Sequence, residues 1–206
     1  MAEIKLTKNE LRAQQGRLGQ LQKYLPTLQL KKAMLQAEVS EARVEIAKCE
    51  EAYNHVRAEV EHYSALLTQN ISINLSDSAK ILKVHRRYEN IAGVEVPYFD
   101  GIEFAEFTYN LFETPTWVDP VTKGLRQLAE ANVRIKIAQE KKEALEKEWR
   151  EVSIRVNLFE KILIPRAMAN IKKIKVFLGD QQLAAVSQAK VAKAKIEWRK
   201  KALVAE

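Results

Sequence analysis

From Leu18 to Leu67 the chain repeats a single spacing. Leu18, Leu21, Leu25, Leu28, Lys32, Leu35, Val39, Ala42, Ile46, Cys49, Tyr53, Val56, Val60, Tyr63 and Leu67 follow one another at alternating steps of three and four, and only Lys32 is charged. A strand would need a period of two. A period of 3.5 over seven heptads predicts one long supercoiled helix with an apolar seam along its side. At 1.5 Å per residue, a helix of about 60 residues is roughly 90 Å long. A seam of that length must be buried against a partner. Pro26 interrupts the pattern, so a kink or a late helix start is expected there.

The last third of the chain carries the complementary seam. It runs Leu128, Ala131, Ile135, Ala138, Lys142, Leu145, Trp149, Val152, Val156, Phe159 and Leu163, reaches Arg166 where a core residue is due, and resumes as Ala167, Ile171, Ile174 and Leu178. Phe159, Leu163, Ala167 and Ile171 are spaced by fours, a stutter that locally unwinds a left-handed supercoil, and Pro165 lies inside it. Beyond Gly179 the seam shrinks to Ala185, Ala189 and Ala192 before Ile196.

Between the two seams the chemistry changes. NISINLSDS reads as a helix exit and ILKVHRRYENIAGVEVPYF as extended chain. Asp100-Gly101 stands between two alternating runs and is the expected hairpin turn; Pro115 and Pro120 restart the chain toward the last helix. The predicted fold is mostly α: a long antiparallel two-helix coiled-coil hairpin formed by the N- and C-terminal helices (1–69 and 123–206), with a small middle insert (70–122) containing a β-hairpin. With only 6 Gly and 5 Pro in 206 residues, and 30% charged residues, the composition suits long helices.

The residues for bond chemistry are missing. There is no Gly-rich phosphate loop. His55 and His62 are seven apart with Glu59 between them, not the i, i+4 pair of a metal-binding helix, so they read as a solvated face. Cys49 and Trp149 fall on the seams and read as core; a single cysteine forms no internal disulfide and fits a reducing compartment. No secretory leader or membrane-spanning apolar run is evident. No catalytic, cofactor or metal residue is therefore expected. The net charge of +7 is concentrated at the ends: residues 1–32 hold seven Lys/Arg against two Glu, and residues 187–206 hold six against two. Solvated faces explain this, and so does a basic tip that enters an enclosing sleeve. A nucleic-acid binder would need a continuous basic stripe, yet both helices carry mixed charge through their middles. A tethering coiled coil explains the heptads and would form a homodimer.

Three stretches carry a family resemblance. Arg155-Val156-Asn157, Glu160 and the run from Ile162 through Ile164, Pro165 and Arg166 (ILIPR) resemble the RVN-x-x-E-x-x-IIPR signature of the D subunits of V-type and A-type rotary ATPases. ENIAGVEVPYF, with Asn90, Ala92, Gly93, Val94, Pro97 and Phe99, is similar to that family's middle segment, and Thr7, Leu11 and Leu18 match its opening. The resemblance implies a central rotor shaft with no bound nucleotide or cofactor. The terminal helices would lie inside the ring of catalytic A and B subunits. The middle would meet the F subunit and the component that couples the shaft to the membrane rotor ring. The shaft would be cytoplasmic and peripheral on the complex, without membrane insertion, and would link ATP synthesis or hydrolysis to proton or sodium transport. Large seam residues such as Trp149, Phe159, Tyr53 and Tyr63 would then interlock to resist sliding. Val94, Val96, Tyr98, Phe99, Ile102 and Phe104 serve either as partner contacts or as the insert's own core; the sequence leaves both open.

Overall fold

The structure is a computed structural model and describes residues 4–63, 74–110 and 114–204. Helix α1 spans Lys8–Glu61. Thr7 starts it: its Oγ1 accepts the Glu10 N–H at 3.3 Å, satisfying one of the first-turn donors. The helix runs through Pro26, so the late start expected there does not occur. Next to the proline, the Thr27 hydroxyl donates to the Tyr24 carbonyl at 2.8 Å. Leu67, the last predicted seam position, lies outside the described residues.

A 3-10 turn, Leu75–Ala79, leads into an antiparallel pair of strands, β1 (Ile81–Ile91) and β2 (Val94–Phe104). The reversal is at Ala92-Gly93, not at Asp100-Gly101 as the alternation suggested. Ala92 (φ 51°) and Gly93 (φ 85°) both take left-handed backbone, the requirement of the two-residue turn that matches strand twist. The Asn90 side chain accepts the Gly93 N–H at 2.9 Å and holds the turn. Asp100 instead falls at a register shift, since His85 faces Gly101 and Arg86 faces Phe99, leaving Asp100 as the extra residue of a bulge. A Gly-containing pair serves either purpose, and sequence alone does not separate them.

Helix α2 spans Val118–Leu158, beginning where Val118 N–H meets the Pro115 carbonyl. A π-helical turn, Phe159–Leu163, joins it to α3, Ile164–Val204. The Ile164 N–H donates to the Phe159 carbonyl, one residue further back than in an α-helix. That extra residue is the four-four-four stutter seen in the sequence. Pro165 follows at once: it has no N–H to place in a regular ladder, and its ring meets a wider turn rather than a tight α turn.

The chain divides into two compact units. In the unit Leu30–Ser153, Lys31 pairs with Glu148, Arg43 with Glu146 and Glu45 with Lys141, at 2.7–2.9 Å. Numbers rise on α1 as they fall on α2, so the helices are antiparallel. Their seams meet: Leu35, Val39 and Ala42 of α1 are buried with Ala138, Leu145 and Val152 of α2, while Ile46, Tyr53, Val60, Tyr63, Ile135 and Trp149 are half-buried. Each fully buried Leu or Val contributes about 1.5–3 kcal/mol by leaving water. Near the far end the Val60 side chain packs against the Gly124 backbone: a Cβ on Gly124 would stand 2.7 Å from Val60 Cγ2.

The other unit, Met1–Gln29 with Ile154–Glu206, buries Val156, Ala167, Ile171 and Ile174 of the C-terminal segment. Phe159, Leu163 and, on α1, Leu18, Leu21, Leu25 and Leu28 are half-buried. Arg166, the residue at odds with the heptad, is exposed. From Asp180 to Arg199 every residue of α3 is exposed.

Candidate functional site

The candidate sites are surfaces of the described residues. No group of three or more His, Cys, Asp or Glu among them is arranged to hold a metal ion. His55 is exposed and lies 3.5 Å from Glu59. Cys49 is half-buried; burial, followed by the nearby Glu45 carboxylate, pushes its thiol up and keeps it protonated.

The β-hairpin lies on the helix pair of its unit through β2. Val96 and Pro97 are buried, and Val94, Tyr98, Phe99, Ile102 and Phe104 are half-buried. Of the two roles the sequence left open for these residues, Val96 has the core one. Cations from α2 cover the aromatic rings of β2: Arg134 stands 4.9 Å from the Phe99 centroid, Arg126 5.5 Å from Phe104, and Lys141 Nζ 4.2 Å from Tyr98. Lys141 is only 6% exposed and also donates to Glu45 at 2.9 Å, so one ammonium ties α1, α2 and β2 together. Burial works against its charge, but the hydrogen bonds to Glu45 and Tyr98 prevail and raise its pKa above the ordinary lysine value. Arg86 of β1 reaches Glu140 of α2 at 2.7 Å.

The outward apolar residues of the hairpin are on β1: Leu82 is 72% exposed, Tyr88 61% and Ile81 39%. Sequence reasoning passed them over. Both strands alternate loosely, and which strand faces the helices is a tertiary outcome. The signature residues divide in the same way. Asn90, Ala92, Gly93 and Val94 build the turn, Pro97 is buried and Phe99 half-buried further along β2, Val156 is core, and Glu160 sits in the π turn. Asn157, Pro165 and Arg166 are exposed, and Ile164 is half-buried.

A second exposed surface is the end of α3. Leu183 (69% exposed), Val191, Ala194 and Trp198 (74%) fall on one face at helical spacing, and Ala185, Ala189, Ala192 and Ile196 on the opposite one. A lone helix with apolar residues on two faces has more to bury than its own unit covers.

A profile of the ATP synthase D subunit matches residues 10–194, which takes in both helical segments and the hairpin. The chain belongs to the ATP synthase D-subunit family. It is 44% identical over 200 residues to the V-type ATP synthase D subunit of Chlamydia abortus, covering 97% of this chain and 96% of that protein. It is equally close to the Chlamydia caviae protein of that name. Identity to the V-type ATP synthase D subunit of Borreliella burgdorferi is 40% over 201 residues, 95% of this chain and 96% of that one. As a member of that family, the chain combines a helical scaffold with two exposed surfaces, the β1 side of the hairpin and the end of α3. None of its helices, among the described residues, is long and apolar enough to cross a membrane.

Proposed function

We propose that the chain is the central-stalk rotor subunit of a V-type or A-type ATP synthase/ATPase, a non-catalytic part that transmits torque between the catalytic A/B ring and the membrane rotor. ATP synthesis or hydrolysis is thereby coupled to proton or sodium transport. The observation that carries this reading is the exposed end of α3, residues 180–199, with apolar faces on both sides and no covering element among the described residues. Such a helix calls for an enclosing partner, and the names of the relatives supply the kind of complex. The seam residues serve as the interlock that stops the helices sliding. The exposed β1 residues Ile81, Leu82 and Tyr88, with the half-buried Val94, Tyr98, Phe99, Ile102 and Phe104 beside them, serve as contacts to the F subunit and the component that couples to the rotor ring. The protein works on the cytoplasmic side, peripheral on the complex, and engages no nucleic acid.

The test is truncation after Gly179 in the reconstituted complex. Binding of the F subunit should survive while association with the A/B ring and coupled hydrolysis fall. Full coupling by the truncated chain overturns the reading. A tethering coiled coil instead predicts a homodimer of the isolated chain, whereas an intramolecular helix pair predicts a monomer; the solution mass separates them.

A further inference from the structure

The charge of this chain is divided unequally between its two units. The unit Met1–Gln29 with Ile154–Glu206 carries seventeen Lys/Arg against six Asp/Glu, net +11. The remaining residues, Leu30–Ser153, carry seventeen against twenty-one, net −4. Pairing follows the same division. In the acidic unit, Lys31, Arg43, Arg86 and Lys141 each reach across to a carboxylate on another element at 2.7–2.9 Å. In the basic unit, Lys5, Arg17 and Arg166 are exposed and make no ion pair with a described residue.

These three cations border one cleft. It has a volume of about 670 Å³, lies between α1 and the start of α3, and is floored by Leu21, Leu163 and Ala167. Glu10 is the one carboxylate among its lining residues and accepts a hydrogen bond from Gln14 at 2.8 Å. The cleft opens just after the π turn, where the seam lapses and Arg166 replaces a core residue. Two guanidiniums on facing helices above an apolar floor suit carboxylates carried on a chain whose non-polar atoms cover the floor. A guanidinium binds a carboxylate through two parallel N–H···O bonds.

We propose that this cleft seats an acidic segment of an enclosing protein partner, with Arg17 and Arg166 as its two carboxylate anchors and Lys5 at the rim. The identity of that partner as part of the A/B ring rests on the rotor reading; the cleft's preference for an acidic peptide does not. The occupant is a peptide rather than a small anion because the apolar floor offers nothing to a free phosphate. The unit-wide excess of positive charge steers the encounter, and the cleft fixes its place.

The test uses the full chain and Arg17→Gln, Arg166→Gln, the double variant, and Lys190→Gln/Lys193→Gln, which removes the same charge elsewhere in the same unit. Tetraglutamate is titrated against the isotope-labelled chain by NMR. Shifts should centre on the Ala167 and Asn170 amides, with binding weaker by roughly tenfold for each lost guanidinium and nearly unchanged for the Lys190/Lys193 pair. Arg17→Lys with Arg166→Lys, which keeps the charge but loses the fork, should recover only part of the affinity. Equal weakening by the two double glutamine variants, or pyrophosphate binding more tightly than tetraglutamate at the same amides, overturns the proposal. Assembly with the A/B ring is then measured for each variant. If the wild-type chain binds the peptide in the cleft but fails to enter the ring, the rotor reading falls and the acidic-segment site stands. If it enters the ring and the Arg17/Arg166 variant enters equally well, the site falls and the rotor reading stands.

Discussion

Lys141 gives the sharpest test of the packing argument, because three substitutions around one ammonium should rank by mechanism. The lysine side chain is 7% exposed and its partner Glu45 is 42% exposed, so the pair is asymmetric: the cation depends on the carboxylate, while the carboxylate has water. Glu45→Gln leaves a buried ammonium facing a neutral amide and the Tyr98 ring. Breaking a buried pair costs about 3–5 kcal/mol, and the remaining amide oxygen and the ring, worth about 0.5–2 kcal/mol, bring the expected loss down to roughly 2–3 kcal/mol. Lys141→Met removes the buried charge and keeps the apolar stem, and Glu45 turns to solvent; the expected change is within about 1 kcal/mol of zero. Lys141→Ala also removes the stem and leaves a cavity under Tyr98, at about 2 kcal/mol. For a chain of this length each kcal/mol shifts Tm by about 2–4 °C, so Glu45→Gln should melt roughly 5–10 °C lower while Lys141→Met barely moves. Urea unfolding followed by helical circular dichroism gives the free energies. If Lys141→Met loses as much as Glu45→Gln, desolvation does not offset the pair, and the reasoning fails.

Other substitutions probe the remaining elements. Gly93→Val forces a β-branched residue into φ 85° and should loosen the hairpin by at least about 1–2 kcal/mol, while Ala92→Gly relieves a non-glycine residue at φ 51° and should stabilise it by about 0.5–1 kcal/mol; hydrogen exchange of the β1 and β2 amides reads both, and equal protection in the two variants refutes the turn assignment. Val156→Asp puts a charge at a 3%-exposed seam position and should cost on the order of 3–5 kcal/mol, visible as lost helicity on heating; unchanged unfolding means the register is wrong. The hydrogen bond from the Arg43 guanidinium holds the Glu146 carboxyl below its ordinary value of 4.5. A lowered pKa contributes stability above about pH 4.5 that is lost as pH falls through the folded value, so Arg43→Gln should flatten the acid limb of the stability curve. Lys141, raised above 10.5, works in the other direction: its contribution is complete below about pH 10 and disappears as pH rises through the folded value, and a Lys141→Met chain should lack that alkaline loss.

What the sequence determined by itself was periodicity. A 3.5-residue repeat admits one structure, so the long helices, their seams and even the stutter could be read directly. The spacing Phe159–Leu163–Ala167–Ile171 already contained the extra residue that the π turn absorbs, and Asn90-Ile-Ala-Gly93 held the residue types its turn requires. The tertiary structure decided matters with no local period. Asp100-Gly101 and Ala92-Gly93 are both acceptable as turns by composition; strand register made one a bulge and the other the reversal. Val96 and Leu82 are similar side chains in neighbouring strands, yet one is fully buried and the other 72% exposed, because the helices cover β2 and not β1. Lys141 is off the heptad seam, yet it is buried because three elements close around it. Arg17 and Arg166 stand 149 positions apart in the chain, and no pattern along it marks them as partners. Local sequence sets which dihedrals and faces are favourable, whereas burial and charge pairing depend on which faces meet, and that is fixed only when the chain packs.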